Sequence, residues 1–355
     1  MNFYIFIIFI IIGYVGCIKN INNNHTSILL KLIFYVLFIL CGVSRIGHTQ
    51  EYSDLTHYID YFENDISTYF EPGYLLFTQF IRCTLGGNGT CLVFGVGLFI
   101  SIVIYLCVFL LERNLRNNMI TKEVFFLFSF FFFVYWGLAF ESERIRIGMA
   151  TSLLILSTTM MFCQYRYISY IPCILAIFFQ YTTIIFVPVL FLIQKEISLP
   201  SKRTYIIWLI CLIIFDFFVK NFNIFSSSFI FQYLQFVNLE QVDHYMEYEI
   251  QSMGSYSLQY FWYHLAPLLF LGGDFNDKRF NKGVLLYYIG LTLSSIFQSL
   301  SAGQRVADMF TIMIIFPLMF AFVGRGIRVC KYKQIAFSYI VIQAVMSANY
   351  LSLVF

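Results

Sequence analysis

Long apolar stretches separated by short polar segments dominate this sequence. A membrane-spanning helix needs about 20 apolar residues to cross a hydrocarbon core of about 30 Å, and shorter segments are tolerated where helix or membrane adapts. The apolar segments that meet this criterion lie at residues 2–18, 28–44, 91–111, 124–140, 147–163, 167–193, 204–219, 258–272, 284–301, 306–323 and 335–353. The first segment has neither a preceding basic region nor a following small-residue cleavage site, so we predict a retained helix rather than a signal peptide.

Segment 167–193 is too long for one upright helix and carries polar Gln180 and Tyr181 at its middle. It forms either one strongly tilted helix or two short helices joined as a hairpin. Lys and Arg in short loops favour the cytoplasmic side of a membrane. With the hairpin, sixteen of the 22 basic residues lie on that side, whereas a single span would reverse every later loop. We therefore predict a hairpin and about twelve membrane segments.

The composition supports a membrane protein and excludes several other classes. Hydrophobic residues make up 60% of the 355 residues and charged residues only 12%, against about 25% charged in an average soluble domain. A soluble enzyme, a secreted disulfide scaffold and a disordered chain are excluded on this ground. The net charge of +3 and the scattered basic residues argue against nucleic-acid binding. The predicted fold is an all-α polytopic integral membrane bundle of about 11–12 segments, some short or broken, in one domain covering residues 1–355.

Two predicted external loops, 45–90 and 220–257, are long enough to build structure outside the membrane. The first contains an amphipathic run near 74–83 that predicts a helix lying in the interface or re-entering the membrane. Both loops interleave tyrosines with carboxylates, a pattern that suits sugars because rings pack on C–H surfaces and carboxylates accept hydroxyl hydrogen bonds. A lid held by interfacial aromatic residues is the alternative interpretation. Cys83 and Cys91 lie on the same predicted oxidising face and could form a disulfide.

Polar residues at predicted membrane depth are functional candidates because their burial is costly. They form three groups, namely Arg144 with Arg146, Gln304 and Arg305 with Asp308, and Gln180. Arg146 and Arg305 adjoin small residues that permit close approach. Five of the six predicted external basic residues are Arg, which binds phosphate bidentately. Two guanidiniums at one external cavity would bind a pyrophosphate and stabilise it as a leaving group.

Several catalytic signatures are missing from the sequence. It contains no nucleotide-binding P-loop, no G-x-S-x-G elbow, no H-E-x-x-H and no C-x-x-C. The five histidines share no metal-ligand spacing. We therefore expect neither a metal nor another cofactor.

A set of short motifs resembles the EpsG family of polysaccharide polymerases, which are related to the Wzy polymerases of O-antigen and capsule synthesis. Three of these motifs resemble the first external loop of that family, namely Arg45, Asp54-x-x-x-Tyr58 and Phe70-Glu71-Pro72-Gly73-Tyr74. The similarity continues in order through Arg146-Ile-Gly-Met-Ala150, Phe178-Phe-Gln-Tyr-Thr182 and Arg305-Val-Ala-Asp-Met-Phe310. EpsG-like chains commonly have His where this chain has Gln180, and Gln preserves the ability to donate a hydrogen bond.

The resemblance implies a polymerase with a fold like that of the GT-C-type membrane glycosyltransferases. It would join two undecaprenyl-pyrophosphate-linked oligosaccharides on the outer face of the bacterial inner membrane, with a chain-length regulator as a possible partner. A hydroxyl of one unit would attack the anomeric carbon of the growing chain and expel undecaprenyl pyrophosphate.

The resemblance also implies roles for the candidate residues. Arg146 and Arg305 would bind the pyrophosphate with help from Arg45, and Asp54 or Glu71 would orient or deprotonate the acceptor hydroxyl. The remaining candidates would contact substrate or shape its site, and these are Tyr58, Tyr74, Arg144, Gln180, Gln304 and Asp308.

Two other classes of membrane protein compete with a polymerase. A flippase for lipid-linked oligosaccharide would show repeated halves and charges at the membrane midplane, but the charges gather at one predicted face. An acyltransferase that modifies surface sugars would need a catalytic histidine at membrane depth, for which only His264 is near a suitable position.

Overall fold

The computed structural model describes the helical core of the chain and leaves several connections aside. The described residues are 7–13, 24–44, 46, 54–64, 70–115, 124–133, 137, 144–195, 198–222, 265–296, 301–323, 338–339 and 341–342. Within helices, side chains are not described at 24–27, 54, 115, 124–127, 219–222, 301–305 and 322–323. Every regular element in these ranges is a helix, in agreement with the predicted all-α class.

The chain divides into two compact units, one built mainly from Met1–Ile197 and the other mainly from Ser198–Ala321. The helices of the first unit are α1 (Asn24–Val43), α2 (Asp54–Asn64), α3 (Pro72–Thr84), α4 (Gly89–Leu115), α5 (Val124–Phe132), α6 (Ile145–Phe162), α7 (Tyr170–Phe179), a 3₁₀ turn (Tyr181–Ile185) and α8 (Phe186–Gln194). Those of the second are α9 (Lys202–Phe222), α10 (Lys278–Ile296), α11 (Ser301–Thr311), a 3₁₀ turn (Ile312–Ile314) and α12 (Ile315–Val323). The organisation of both units as one membrane domain stays a prediction.

Two of the described helices are long and apolar enough to cross a membrane, judged by length and composition. They are α4, over Gly89–Asn114, and α6. Both coincide with predicted spans, as do helices α1 and α9. Predicted spans 2–18 and 335–353 lie largely outside the described residues, and about half of span 258–272 does so.

The structure confirms the predicted hairpin within 167–193. Helix α7 ends at Gln180, whose extended backbone (φ −157°, ψ 108°) leads into the 3₁₀ turn and then α8. The Nε2 of Gln194 donates to Ser169 Oγ at 2.8 Å and to the carbonyl of Arg166 at 3.1 Å. The end of α8 therefore returns to the start of α7, and the two short helices run antiparallel.

The hydrogen bonds between helices separate two ends of the first unit. At one end, called here the lower end, Asn114 Nδ2 donates to the carbonyl of Cys163 at 2.9 Å, so α4 and α6 finish side by side. Lys31 and Glu112 form an ion pair of 3.6 Å at the same end. The start of α6 lies at the opposite end, called here the upper end. Ser157, near the end of α6, donates to the carbonyl of Ser169, which directly precedes α7, so α7 begins near the end of α6 and runs toward the upper end.

The second unit is built on an antiparallel pair formed by α10 with the α11–α12 segment. Gly290 lies so close to the backbone of Thr311 that a Cβ would meet its nitrogen at 2.8 Å, and Gly283 is similarly close to Pro317. This pairing brings α10 and α11 together at the end where Arg305 lies. The predicted span 306–323 is broken by the 3₁₀ turn Ile312–Ile314.

Candidate active site at the upper end of the first unit

The Glu71-Pro72-Gly73 sequence determines how α3 begins. Pro72 occupies the first helical position, where a missing N–H costs nothing and the fixed φ favours the helix. Gly73 packs against α7 so closely that a Cβ would lie 2.7 Å from the backbone oxygen of Phe178. The start of α3 is therefore held against the end of α7, next to Gln180.

A buried ion pair joins α3 to α6. Arg146, the second residue of α6, donates from Nη1 to Glu71 Oε2 and from Nε to the hydroxyl of Tyr58 at 3.1 Å. The exposed fractions of the Arg146 and Glu71 side chains are 13% and 7%. Removing a charge from water is costly unless an opposite charge and hydrogen bonds compensate it, and Glu71 and Tyr58 supply both for Arg146.

Four aromatic side chains surround the ion pair and form what we call the aromatic cluster: Tyr58, Tyr61, Phe70 and Tyr74. The guanidinium of Arg146 lies 4.8 Å from the ring centre of Phe70 and 5.5 Å from that of Tyr58, both within cation–π range. The Phe70 ring stands edge-on to Tyr61 and to Tyr74 at 4.7 and 5.1 Å. The rings keep water from most of the guanidinium and fix its plane.

This arrangement leaves Arg146 able to bind an anion. Tyr58 accepts from Nε and Glu71 accepts from Nη1, while no residue in the described part of the chain bonds to Nη2. An Nη2 whose plane is already fixed can donate to the oxygens of a phosphate without losing further side-chain entropy. Glu71 thus orients the cation, and its engagement with Arg146 favours a positioning role over that of an accessible base.

Helix α2, which carries Tyr58, is anchored at its carboxyl end. Arg82 Nε donates to the carbonyl of Phe62 at 2.8 Å, and Arg82 Nη2 donates to that of Tyr61 at 3.0 Å. Glu63 Oε1 accepts from the backbone nitrogen of Gly89 at 2.7 Å, at the start of α4. A cation and hydrogen bonds at the last carbonyls of a helix stabilise its end, so Arg82 holds α2 in the position from which Tyr58 reaches Arg146.

Replacement of Arg82 by Ala is expected to loosen α2 without unfolding the unit. Removal of both carbonyl contacts should cost about 1–2 kcal/mol locally, so backbone amides of 54–64 should exchange hydrogen about 5- to 30-fold faster. Hydrogen exchange of the full-length protein in detergent measures this. Arg113→Ala removes an exposed Arg at the lower end and should leave exchange in 54–64 unchanged, whereas equal exchange in both variants would contradict an anchoring role.

Tyr74 and Gln180 carry polar atoms that the protein does not satisfy. The Tyr74 side chain is fully buried, and neither its hydroxyl nor the Oε1 of Gln180 has a hydrogen-bond partner among the described residues. Burial raises the pKa of Tyr74 well above its ordinary value, so its hydroxyl stays protonated and able to donate.

The outer face of α3 carries large apolar side chains. Tyr74, Thr78 and Ile81 face inward, whereas Leu76 and Phe80 are 68% and 62% exposed. A helix that exposes large apolar side chains suits a lipid boundary better than water, although its location at a membrane interface stays a prediction. The possible disulfide is not formed in the structure, where Cys83 and Cys91 are free thiols.

The structure brings four of the predicted site residues together: Tyr58, Glu71, Tyr74 and Arg146. Arg144 directly precedes α6, and Gln180 follows α7 beside Gly73. Asp308 is buried in α11 of the second unit. Asp54, Gln304 and Arg305 lie in described helices but their side chains are not described, and Arg45 lies outside the described residues. The predicted joint action of Arg146 and Arg305 stays a prediction.

Three residues of the site, Tyr61, Phe70 and Arg82, were not among the predicted site residues. Phe70 immediately precedes Glu71, so its place in the Phe-Glu-Pro-Gly-Tyr motif was an available signal. Arg82 is one of the six predicted external basic residues. Its hydrogen bonds go to carbonyls about 20 residues away, and the local sequence does not indicate such contacts. The pairing of Glu71 with Arg146 was also not predicted, although two opposite charges at predicted membrane edges made it a possibility.

The fold and the site are those expected of a helical membrane protein, with a buried arginine held by a carboxylate among aromatic residues. The model of the EpsG family matches residues 32–354, nearly the whole chain, and the chain belongs to the EpsG family. The resemblance drawn from the motifs is thereby confirmed, and membership indicates a role of the polysaccharide-polymerase type. No curated protein and no solved structure matches the chain.

Proposed function

We propose that this protein polymerises undecaprenyl-pyrophosphate-linked oligosaccharide repeat units into a surface polysaccharide, such as an O-antigen, a capsule or an exopolysaccharide. The site would face the outside of the bacterial inner membrane. The observation that carries the proposal is Arg146, fixed by Glu71 and Tyr58 with Nη2 free of described partners. Its location supports an external site, because Lys31, Arg166 and the end of α8 lie at the lower end, as expected of the cytoplasmic side.

In the proposed reaction, a hydroxyl of one repeat unit attacks the anomeric carbon of the other chain. A new glycosidic C–O bond forms, the bond to the pyrophosphate oxygen breaks, and the hydroxyl proton leaves to a base. Arg146 would stabilise the negative charge that develops on the departing pyrophosphate. Arg305 and Arg45 are proposed to add to this charge stabilisation.

The proton acceptor is proposed to be Asp54 rather than Glu71. Glu71 is held in the ion pair with Arg146, whereas Asp54 begins α2 one turn before Tyr58. Residues four apart share one helix face, so the position of Asp54 is on the side of α2 from which Tyr58 reaches Arg146. A carboxylate there would orient or deprotonate the acceptor hydroxyl.

The test is the surface glycan and the lipid-linked glycan of a bacterial strain that lacks this protein. We expect a single repeat unit on the lipid carrier and at the cell surface, and longer chains on restoring the protein. Loss of all external units would instead identify a flippase. Full-length chains lacking a substituent would identify an acyltransferase, and either result would overturn the proposal.

A further inference from the structure

The unsatisfied polar atoms beside the Arg146–Glu71 pair have no explanation in the packing of the protein. The Tyr74 ring is wedged against Phe70 and Tyr58 at 5.1 and 5.6 Å. These ring contacts restrict movement of the Tyr74 side chain. A buried donor or acceptor without a partner costs stability, and native proteins retain few of them. A buried polar group without a protein partner is expected where a bound ligand supplies the missing hydrogen bond.

Three such atoms lie at the upper end of the first unit, on Tyr74, on Gln180 and on Thr182 in the 3₁₀ turn that follows Gln180. Gly73, which precedes Tyr74, packs against the backbone of Phe178, two residues before Gln180. The buried Oε1 of Gln180 can only accept a hydrogen bond, while the Tyr74 hydroxyl stays protonated and can donate one.

We propose that the Tyr74 hydroxyl and the Gln180 carbonyl bind hydroxyl groups of the substrate sugar, next to the anion that Arg146 holds. This inference rests on the proposed function and specifies the substrate contacts of the same site. A phosphate oxygen accepts but does not donate at neutral pH, so it cannot satisfy Gln180, whereas a sugar hydroxyl both donates and accepts. Since the Tyr74 hydroxyl has no exposed surface, substrate entry must separate rings of the aromatic cluster.

Tyr74 and Gln180 would therefore be specificity-determining residues. A site built to hydrogen-bond a hydroxyl discriminates strongly against analogues that lack it, because the buried groups of the site are then left unpaired. Arg146 contributes no such discrimination, since every lipid-linked donor carries the same pyrophosphate. The sugar adjoining the pyrophosphate is thus selected by two uncharged groups rather than by the charged pair.

The experiment compares Tyr74→Phe with wild type, using the purified full-length protein and lipid-linked repeat units extracted from the strain that lacks it. We expect kcat/KM to fall about 10- to 100-fold. The melting temperature in detergent should stay the same or rise, because an unsatisfied buried hydroxyl has been removed. Gln180→Leu, which removes the acceptor oxygen without adding charge, should lower kcat/KM similarly. Tyr167→Phe, at an 88% exposed tyrosine outside the site, is the matched control.

Wild-type kcat/KM in Tyr74→Phe would overturn the inference. A joint fall of kcat/KM and melting temperature would also overturn it, because the hydroxyl would then have a partner within the protein. The proposed function fails separately, through the glycan of the deletion strain. If that strain accumulates single repeat units and Tyr74→Phe remains fully active, only the sugar-hydroxyl contacts are wrong.

Discussion

Replacement of Arg146 by Ala should abolish chain elongation and also lower the amount of folded protein. The loss of charge stabilisation at a leaving group is expected to reduce polymerisation at least about 100-fold. The stability effect arises because Glu71 would be left buried without its counter-ion, at a cost of about 3–5 kcal/mol. Glycan chain length at the cell surface and protein abundance in the membrane fraction measure the two effects independently.

A double variant separates these two effects. Arg146→Ala combined with Glu71→Gln removes the uncompensated carboxylate, so abundance should recover while elongation stays absent. Arg146→Lys keeps the charge but loses the planar fork that contacts Glu71 and Tyr58, and should retain only a small part of the activity. Arg166→Ala, which removes an exposed arginine at the lower end, should behave as wild type. A normal glycan ladder in the double variant would show that Arg146 does not act in the reaction.

A single methyl group at Gly73 should have the next largest effect. In Gly73→Ala the new Cβ would lie 2.7 Å from the backbone oxygen and 2.9 Å from the backbone carbon of Phe178. Because backbone atoms cannot rotate away, α3 or the end of α7 must move, at a cost of about 1–3 kcal/mol. Glu71 and Tyr74 flank this contact, so the site moves with it. A displacement of about 1 Å in a catalytic site can lower the rate about 100-fold. We therefore expect the rate of chain elongation to fall by about 10- to 100-fold.

Gly87→Ala is the matched control, because nothing lies within 4 Å of its Cβ position. The two glycine variants should be compared for glycan chain length at equal protein abundance. Equal glycan chains in both variants would mean that the close approach of α3 to α7 does not position the site.

The helices were predictable wherever an apolar run was long. Spans 91–111 and 147–163 correspond to α4 and α6 within a few residues, because apolar length decides both. The hairpin at 167–193 needed a second signal, namely the distribution of basic residues, since hydropathy alone allows one tilted helix. The break at Ile312–Ile314 had no such signal, because the residues there are as apolar as their neighbours.

The site was predictable as a set of residues but not as an arrangement. Arg146 stood out as a charge at membrane depth, and Glu71, Tyr58 and Tyr74 stood out through the family motifs. Their contacts join residues 75 and 88 positions apart, and tertiary packing determines such contacts rather than local pattern. The role of Glu71 changed most, because its burial against Arg146 makes it part of the cation's support.

The short α7–α8 hairpin also bears on the membrane itself. Helices of 10 and 9 residues extend about 15 Å at 1.5 Å per residue, and the five-residue 3₁₀ turn lengthens the second arm. Neither arm alone reaches the full thickness of a hydrocarbon core of about 30 Å, so the hairpin would enter the membrane from the lower end and return to that end. The irregular backbone at Gln180 would be tolerated there only where protein or water covers it, and the close contact of Phe178 with Gly73 supplies part of that cover.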